Sequence, residues 1–320
     1  MTGTPTSDGK ARRVFGGVEL RAADGVILAT LVLFSLLAVG FRAAVEGWPL
    51  LVGKNAVVAV AVLVSAAVMP RVRRPVVAFF LRTATVSLSY AYLFGAVASL
   101  QLILHGRFQD DLVLAFEAWL FGVQPTLWLE RFVTPPLTEW MMFCYVIYVP
   151  LYPVLCAVLW VRRGRAAAEE YFLALGLANV LCDAGFILFP VASPMYWMAD
   201  RFSIPLDGWL FTWVGELIRT HTHFAGGSIP SPHAAAATVM WVMAWKHHRP
   251  TFWLLSPVVL SLYVSTFYGR FHYVTDAVFG IATAGLAVVL TPLVQRVWDR
   301  LAGAGPDASA ECSYAPTFGR

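Results

Sequence analysis

The sequence predicts an all-α, polytopic membrane protein with about eight transmembrane helices, the last six forming one bundle with interfacial helices on its outer face. Three observations predict it. Of the 320 residues, 59% are hydrophobic and only 13% charged, with a mean hydropathy of +0.68, whereas a soluble domain carries about 25% charged residues. The apolar residues gather into runs approaching the roughly 20 residues that cross a bilayer. The connections between those runs alternate in charge.

Residues 1–24 are polar and irregular and are expected to form a disordered cytoplasmic tail. The apolar run behind them is too long for a signal-peptide core and has no small-residue cleavage site, so it reads as an uncleaved first span. Spans follow the pattern of apolar runs near 25–44, 52–69, 84–104, 139–161, 171–189, 234–246, 251–268 and 274–293. The sixth is short, and its outer end extends into the 226–233 loop. Residues 25–83 thus make two extra N-terminal spans before a six-span domain at 84–295, and 296–320 reads as a second disordered cytoplasmic tail. In the 105–138 segment, LVLAFEAWLFG and PTLWLERFV are too short to span and suit helices lying in the interface.

Charge sets the orientation. Lys10, Arg12, Arg13 and Arg21 precede the first span; Arg71, Arg73, Arg74 and Arg82 separate the second and third. Arg162, Arg163 and Arg165 follow the fourth, Lys246 and Arg249 the sixth, and Arg296 and Arg300 the eighth. The intervening connections carry Glu46, Asp110, Asp111, Glu117, Asp200 and Asp207 instead. The positive-inside rule then puts both termini in the cytoplasm and the 190–233 and 269–273 segments outside. The Ala/Val/Arg-rich composition points to a bacterial cell membrane. Trp119, Trp128, Trp140, Trp197, Trp209 and Trp213 suit an interfacial belt or the lining of an acyl-chain cleft.

The net charge is +4, and no basic cluster interleaves with exposed aromatics, so nucleic acid is not an expected partner. Cys144, Cys156, Cys182 and Cys312 lack CxxC spacing, which indicates neither a disulfide framework nor a zinc site. His221 and His223 alternate in RTHTHF, but the segment does not look like a strand that would put both on one face. No metal is assigned to them.

Two outward segments carry the chemistry. In GGSIPSPHAAAATVMW (226–241), Ser231 is a good N-cap and Pro232 suits the first helical position, which places His233 in the opening turn. Gly226, Gly227 and Ser228 beside that terminus form the kind of loop that cradles a phosphate; the plain alternative is an ordinary cap. In STFYGRFHYVTDAVFGI (265–281), His272 and Asp276 are four apart and share a helix face. The carboxylate can accept an imidazole N–H and free the other ring nitrogen as a nucleophile, unless the pair is only a structural bridge. Arg270 lies two residues upstream, where it could ligate a phosphoryl oxygen. Asp183 is buried about 9 Å below the outer end of its span, with Asn179 one turn deeper. An intramembrane carboxylate usually faces a cavity, and here it is assigned to the site.

PSPH, followed about forty residues later by HYVTDAVFG, resembles the type 2 phosphatidic acid phosphatase superfamily. LFGVQPTLWLERFVTPPLTEWMMFCYVIYVP and FPVASPMYW narrow the resemblance to its inositol phosphorylceramide synthase-like branch, over roughly residues 85 to 293. The resemblance implies a catalytic membrane domain at 84–295 that acts on a phospholipid phosphate ester through a phosphohistidine intermediate, without metal or cofactor. His272 would be the nucleophile oriented by Asp276, and His233 the general acid and then base. Arg270, Ser231, Ser228, Gly227 and Asp183 would bind the substrate. Head-group transfer to an alcohol acceptor lipid is the expected reaction. The alternatives are a simple phosphatidic acid or polyprenyl phosphate phosphatase, or a non-catalytic lipid-binding or transport protein. The sequence departs from the superfamily pattern in three places. It has no lysine-to-Arg-Pro motif, the expected Ser-Arg reads Ser265-Thr266, and the branch's Pro-Pro-Arg reads Ser193-Pro194-Met195.

Overall fold

A computed structural model describes residues 13–15, 18–222 and 224–302 of the chain. His223, Cys312 and most of both tails lie outside the described residues. Within the segment expected to be a disordered tail, β1 (Arg13–Phe15) and β2 (Val18–Leu20) pair antiparallel. The rest is helical: α1 (Ala22–Gly40), α2 (Trp48–Val68), α3 (Pro75–Val97), α4 (Asp110–Phe121), α5 (Pro125–Trp128), α6 (Pro135–Arg163), α7 (Arg165–Leu188), α8 (Pro194–Trp197), α9 (Leu210–Thr222), α10 (Pro232–His247), α11 (Arg249–Tyr268) and α12 (Val274–Leu301). Among the described residues, seven helices are long and apolar enough to cross a membrane: α1, α2, α3, α6, α7, α11 and α12. Together these make an all-α polytopic membrane fold.

The remaining expected span, near 234–246, is α10. At 16 residues it is about 24 Å long, shorter than a typical span. It nonetheless runs the depth of the bundle. At its far end His247 accepts a hydrogen bond through its carbonyl from Arg163 Nε at 2.7 Å, and Lys246 pairs with Glu170. Its alanines explain the position: Ala234 through Ala237 are each no more than 2% exposed, so α6, α7, α11 and α12 can surround it closely. Gly280 of α12 completes that approach, since a Cβ there would stand 2.4 Å from the Ser231 carbonyl oxygen.

The 105–138 segment forms α4 and the α5 region, two short helices bent 63° from one another that reach span length only if counted together. The second departure concerns Arg82. The sequence reading leaves it in the basic connection before the third span, whereas α3 begins at Pro75 and carries Arg82 inward, buried against Asp24 of α1 and Glu169 of α7. Asn55 of α2 adds further ties, donating to Ser35 Oγ at 2.9 Å and accepting from Tyr92 Oη at 2.6 Å. The two N-terminal helices therefore dock on the bundle through polar as well as apolar contacts.

Candidate active site

The starts of α10 and α12 meet at one end of the bundle, where the Ser231 amide donates to the Asp276 carbonyl at 2.9 Å. Each helix start carries one histidine to the junction. His233 Nδ1 lies 3.2 Å from His272 Nε2, and the rings meet at 61°. His272 is buried, with its Nδ1 3.1 Å from the Ser228 carbonyl oxygen. A carbonyl can only accept, so the proton sits on Nδ1 and the Nε2 lone pair faces His233. His233 Nδ1 is then the donor across the pair, and its proton lies beside the nitrogen that would react.

Asp276 supports this arrangement differently from the sequence expectation. Its Oδ2 is 3.5 Å from His272 Nδ1, beyond a good hydrogen bond. The same oxygen accepts from Ser228 Oγ at 2.5 Å and from the Tyr273 amide at 2.9 Å. The carboxylate, fully buried, therefore holds the loop whose carbonyl orients the imidazole.

The other predicted binding residues serve mainly as framework. Ser231 Oγ caps α10 by accepting from the Ala234 amide at 3.3 Å, and the residue is fully buried. Gly227, with φ of +63°, donates its N–H to Gln101 Oε1 at 3.1 Å, so that amide is already paired. Arg270 bonds Glu130 Oε1 at 3.1 Å and the Ile204 carbonyl, and its guanidinium lies over the Phe202 ring at 4.2 Å. Burial lowers its pKa while Glu130 opposes the shift. It clamps the 202–204 strand of chain rather than either histidine. Asp183 is buried in α7 with its Oδ2 unpartnered among the described residues, and it forms no bond to the histidine pair. His221 is exposed and bonds Thr220 and the Leu217 carbonyl.

Sequence reasoning missed a set of residues that fix the site from a distance. Asp110 and Glu117 of α4 are seven apart, two turns on one face, and both are fully buried. Asp110 accepts from the Ala192 and Ser193 amides at 2.8 and 3.1 Å and from Tyr273 Oη at 2.9 Å. Glu117 takes the Thr275 amide and hydroxyl at 2.8 and 3.0 Å, placing a carboxylate at the positive end of α12. The only sequence signal was two acids at helical spacing in an otherwise apolar segment. Gln101 had none: its amide donates to the Ala225 carbonyl at 2.8 Å and accepts from Gly227.

Gln101 offers a direct test of this framework. Gln101→Ala is expected to lower turnover about 10- to 100-fold, the range for a small misplacement of catalytic groups. Gln101→Glu retains the acceptor for Gly227 and should lose less. Steady-state kinetics on both variants check this, and equal losses would contradict the role given to the Gly227 bond.

Aromatic rings line the approach. Tyr145 stacks on His233 at 4.7 Å and on Phe271 at 4.1 Å, while Tyr148 lies 5.3 Å from His233. Beyond Phe271 opens a cleft of about 550 Å³ between α6, α9 and the 195–208 segment. Its wall is apolar at Met142, Met195, Phe202 and Leu206 and polar at Arg219 and Glu216.

The sequence profile of the PAP2 superfamily matches residues 111–290, more than half of the chain, and that span contains both histidines, Asp276, Glu117 and the cleft. No curated protein and no solved structure gives a significant match. On the profile match, the chain belongs to the type 2 phosphatidic acid phosphatase superfamily, whose members are phosphoric ester hydrolases or phosphotransferases.

Proposed function

We propose that the protein transfers the phosphoryl head group of a phospholipid to an alcohol acceptor lipid through a covalent intermediate on His272. The observation that carries the reading is the oriented pair, with His272 Nδ1 at the Ser228 carbonyl and its Nε2 3.2 Å from His233 Nδ1. In the first step Nε2 forms a bond to phosphorus, the bond from phosphorus to the leaving oxygen breaks, and His233 gives that oxygen a proton. In the second step the acceptor hydroxyl gives its proton to His233 as its oxygen bonds phosphorus and the N–P bond breaks. Ser228 and Asp276 stabilise the charge that develops on the His272 ring as the N–P bond forms. The helix start at His233 contributes the positive end of a dipole, since neither the Gly227 amide nor Arg270 is free to do so.

The cleft favours transfer over hydrolysis. Its apolar wall gives a second lipid a place beside Phe271, and occupation by that lipid keeps water from the intermediate. The alternating basic connections support a site on the outer face of a bacterial cell membrane with both termini in the cytoplasm.

The test uses full-length protein in lipid nanodiscs, supplied with phosphatidylinositol or phosphatidic acid, with and without ceramide or diacylglycerol. A new head-group-bearing lipid that forms only with acceptor, and is absent in His233→Ala and His272→Ala, is the expected result. Free phosphate released without acceptor would make the protein a phosphatase instead.

A further inference from the structure

α9 belongs to none of the spans, yet its position is fixed. The Glu139 carboxylate of α6 accepts from the amides of Trp209, Phe211 and Thr212 at 2.7, 2.7 and 3.1 Å and from the Thr212 hydroxyl at 2.9 Å. Four hydrogen bonds thus pin the otherwise unpaired start of the helix to the first turns of α6. Phe211 meets the Phe143 ring at 4.9 Å, and a Cβ on Gly215 would touch Met142 Sδ at 3.1 Å, so this face of α9 packs inward.

The opposite face is apolar and exposed. Trp209, Trp213 and Leu217 follow at intervals of four, with Leu210 beside them, and their exposures are 63%, 63%, 44% and 60%. The level of this stripe is set by α6. That helix has 29 residues, about 43 Å, against a hydrocarbon layer of about 30 Å. Its first turns therefore reach the head groups, where tryptophan is favoured. The exposed Glu216–Arg219 pair flanks Leu217 and belongs to the polar wall of the cleft. Trp209 and Trp213 also line the cleft, whose lining includes Phe271, the neighbour of His272 in the chain, whereas Leu210 and Leu217 do not line it.

We propose that α9 lies in the bilayer surface with Leu210 and Leu217 seated among the lipids and Trp209 and Trp213 at the cleft's edge, over which a lipid phosphate ester slides sideways into the cleft. The lipid surface is the partner. The sliding step rests on the proposed function, whereas the placement of α9 does not.

Two measurements on full-length protein in nanodiscs test the proposal. The first compares Leu210→Ser/Leu217→Ser with wild type on a long-chain lipid phosphate ester in the bilayer and on a water-soluble short-chain ester. At least a tenfold loss of kcat/KM on the long-chain substrate, with less than a twofold change on the soluble one, is expected. No change on either, or an equal loss on both, overturns the portal. The second places a nitroxide at Leu217→Cys in a Cys312→Ser background, where Cys144, Cys156 and Cys182 are buried. Greater relaxation by oxygen than by a water-soluble nickel chelate is expected, and the reverse order overturns the placement. If wild type turns over neither ester, the proposed function and the portal both fail, while the nitroxide still decides where α9 lies.

Discussion

His272→Ala should lower turnover by at least about 10⁴-fold, because in the proposed mechanism it removes the group to which phosphorus bonds, and no other step replaces a lost nucleophile. His233→Ala should cost about 10²- to 10⁴-fold, the usual contribution of a positioned acid or base. The two losses should respond differently to the leaving group. An activated aryl phosphate ester, which departs without a proton, should restore much of the first step in His233→Ala and nothing in His272→Ala. A rapid-quench assay that follows leaving-group release in both variants checks this. Retention of more than a tenth of wild-type release by His272→Ala would contradict the assignment.

Arg82→Ala is expected to be the most damaging change away from the site. The guanidinium bonds Asp24 of α1 and both oxygens of Glu169 on α7, and Arg21 adds a 3.4 Å contact to Glu169. All three members of the central group are less than a tenth exposed or close to it. Removing the arginine leaves two carboxylates facing each other in a buried place, which costs about 3 to 5 kcal/mol. Replacing the whole group, as Asp24→Asn/Arg82→Met/Glu169→Gln, removes the stranded charge and should recover most of that loss. Thermal unfolding of purified protein in one detergent compares the three proteins. A single variant as stable as wild type would show that the cluster does not hold α1 to the bundle.

The cluster also shows where sequence reading meets its limit. Arg82 was legible as a positive charge near other positive charges, and the charge pattern alone assigned it to a connection. Its partners lie 58 and 87 residues away in sequence, and nothing in a hydropathy run reveals such pairing. The spans themselves were legible because a bilayer demands a long apolar run, and helices of span length overlap seven of the eight, the third displaced to Pro75–Val97. α10 was legible in outline, since Ser231, Pro232 and the alanines dictate where the helix starts and how closely it packs.

The site divides along the same line. His233, His272 and Asp276 could be named because each lies in a short local pattern with a chemical reason for its spacing. The structure brings the histidines together, and it gives the orienting bond to the Ser228 carbonyl instead of to Asp276. The roles of Gly227, Ser228, Ser231 and Arg270 were less legible. A loop glycine or an arginine near a nucleophile is available to substrate only if nothing else pairs with it, and the pairing partners Gln101, Asp276, Ala234 and Glu130 come from elsewhere in the fold or from the turn itself. Asp110 and Glu117 were read only as outer-face charges, and their part in the site was missed for the matching reason, since their amide donors lie 82 to 158 residues downstream.

The covalent step on His272 is the centre of the account, and its most direct test is the mass of the protein during turnover. Wild-type protein mixed with a lipid phosphate ester without acceptor is quenched in alkali, where a phosphorus–imidazole bond survives, and its peptides are mapped. The account predicts a phosphoryl-bearing adduct on His272 that disappears when an alcohol acceptor is added before the quench and never forms in His272→Ala. Turnover with no adduct on His272, or with the adduct on another residue, would contradict it.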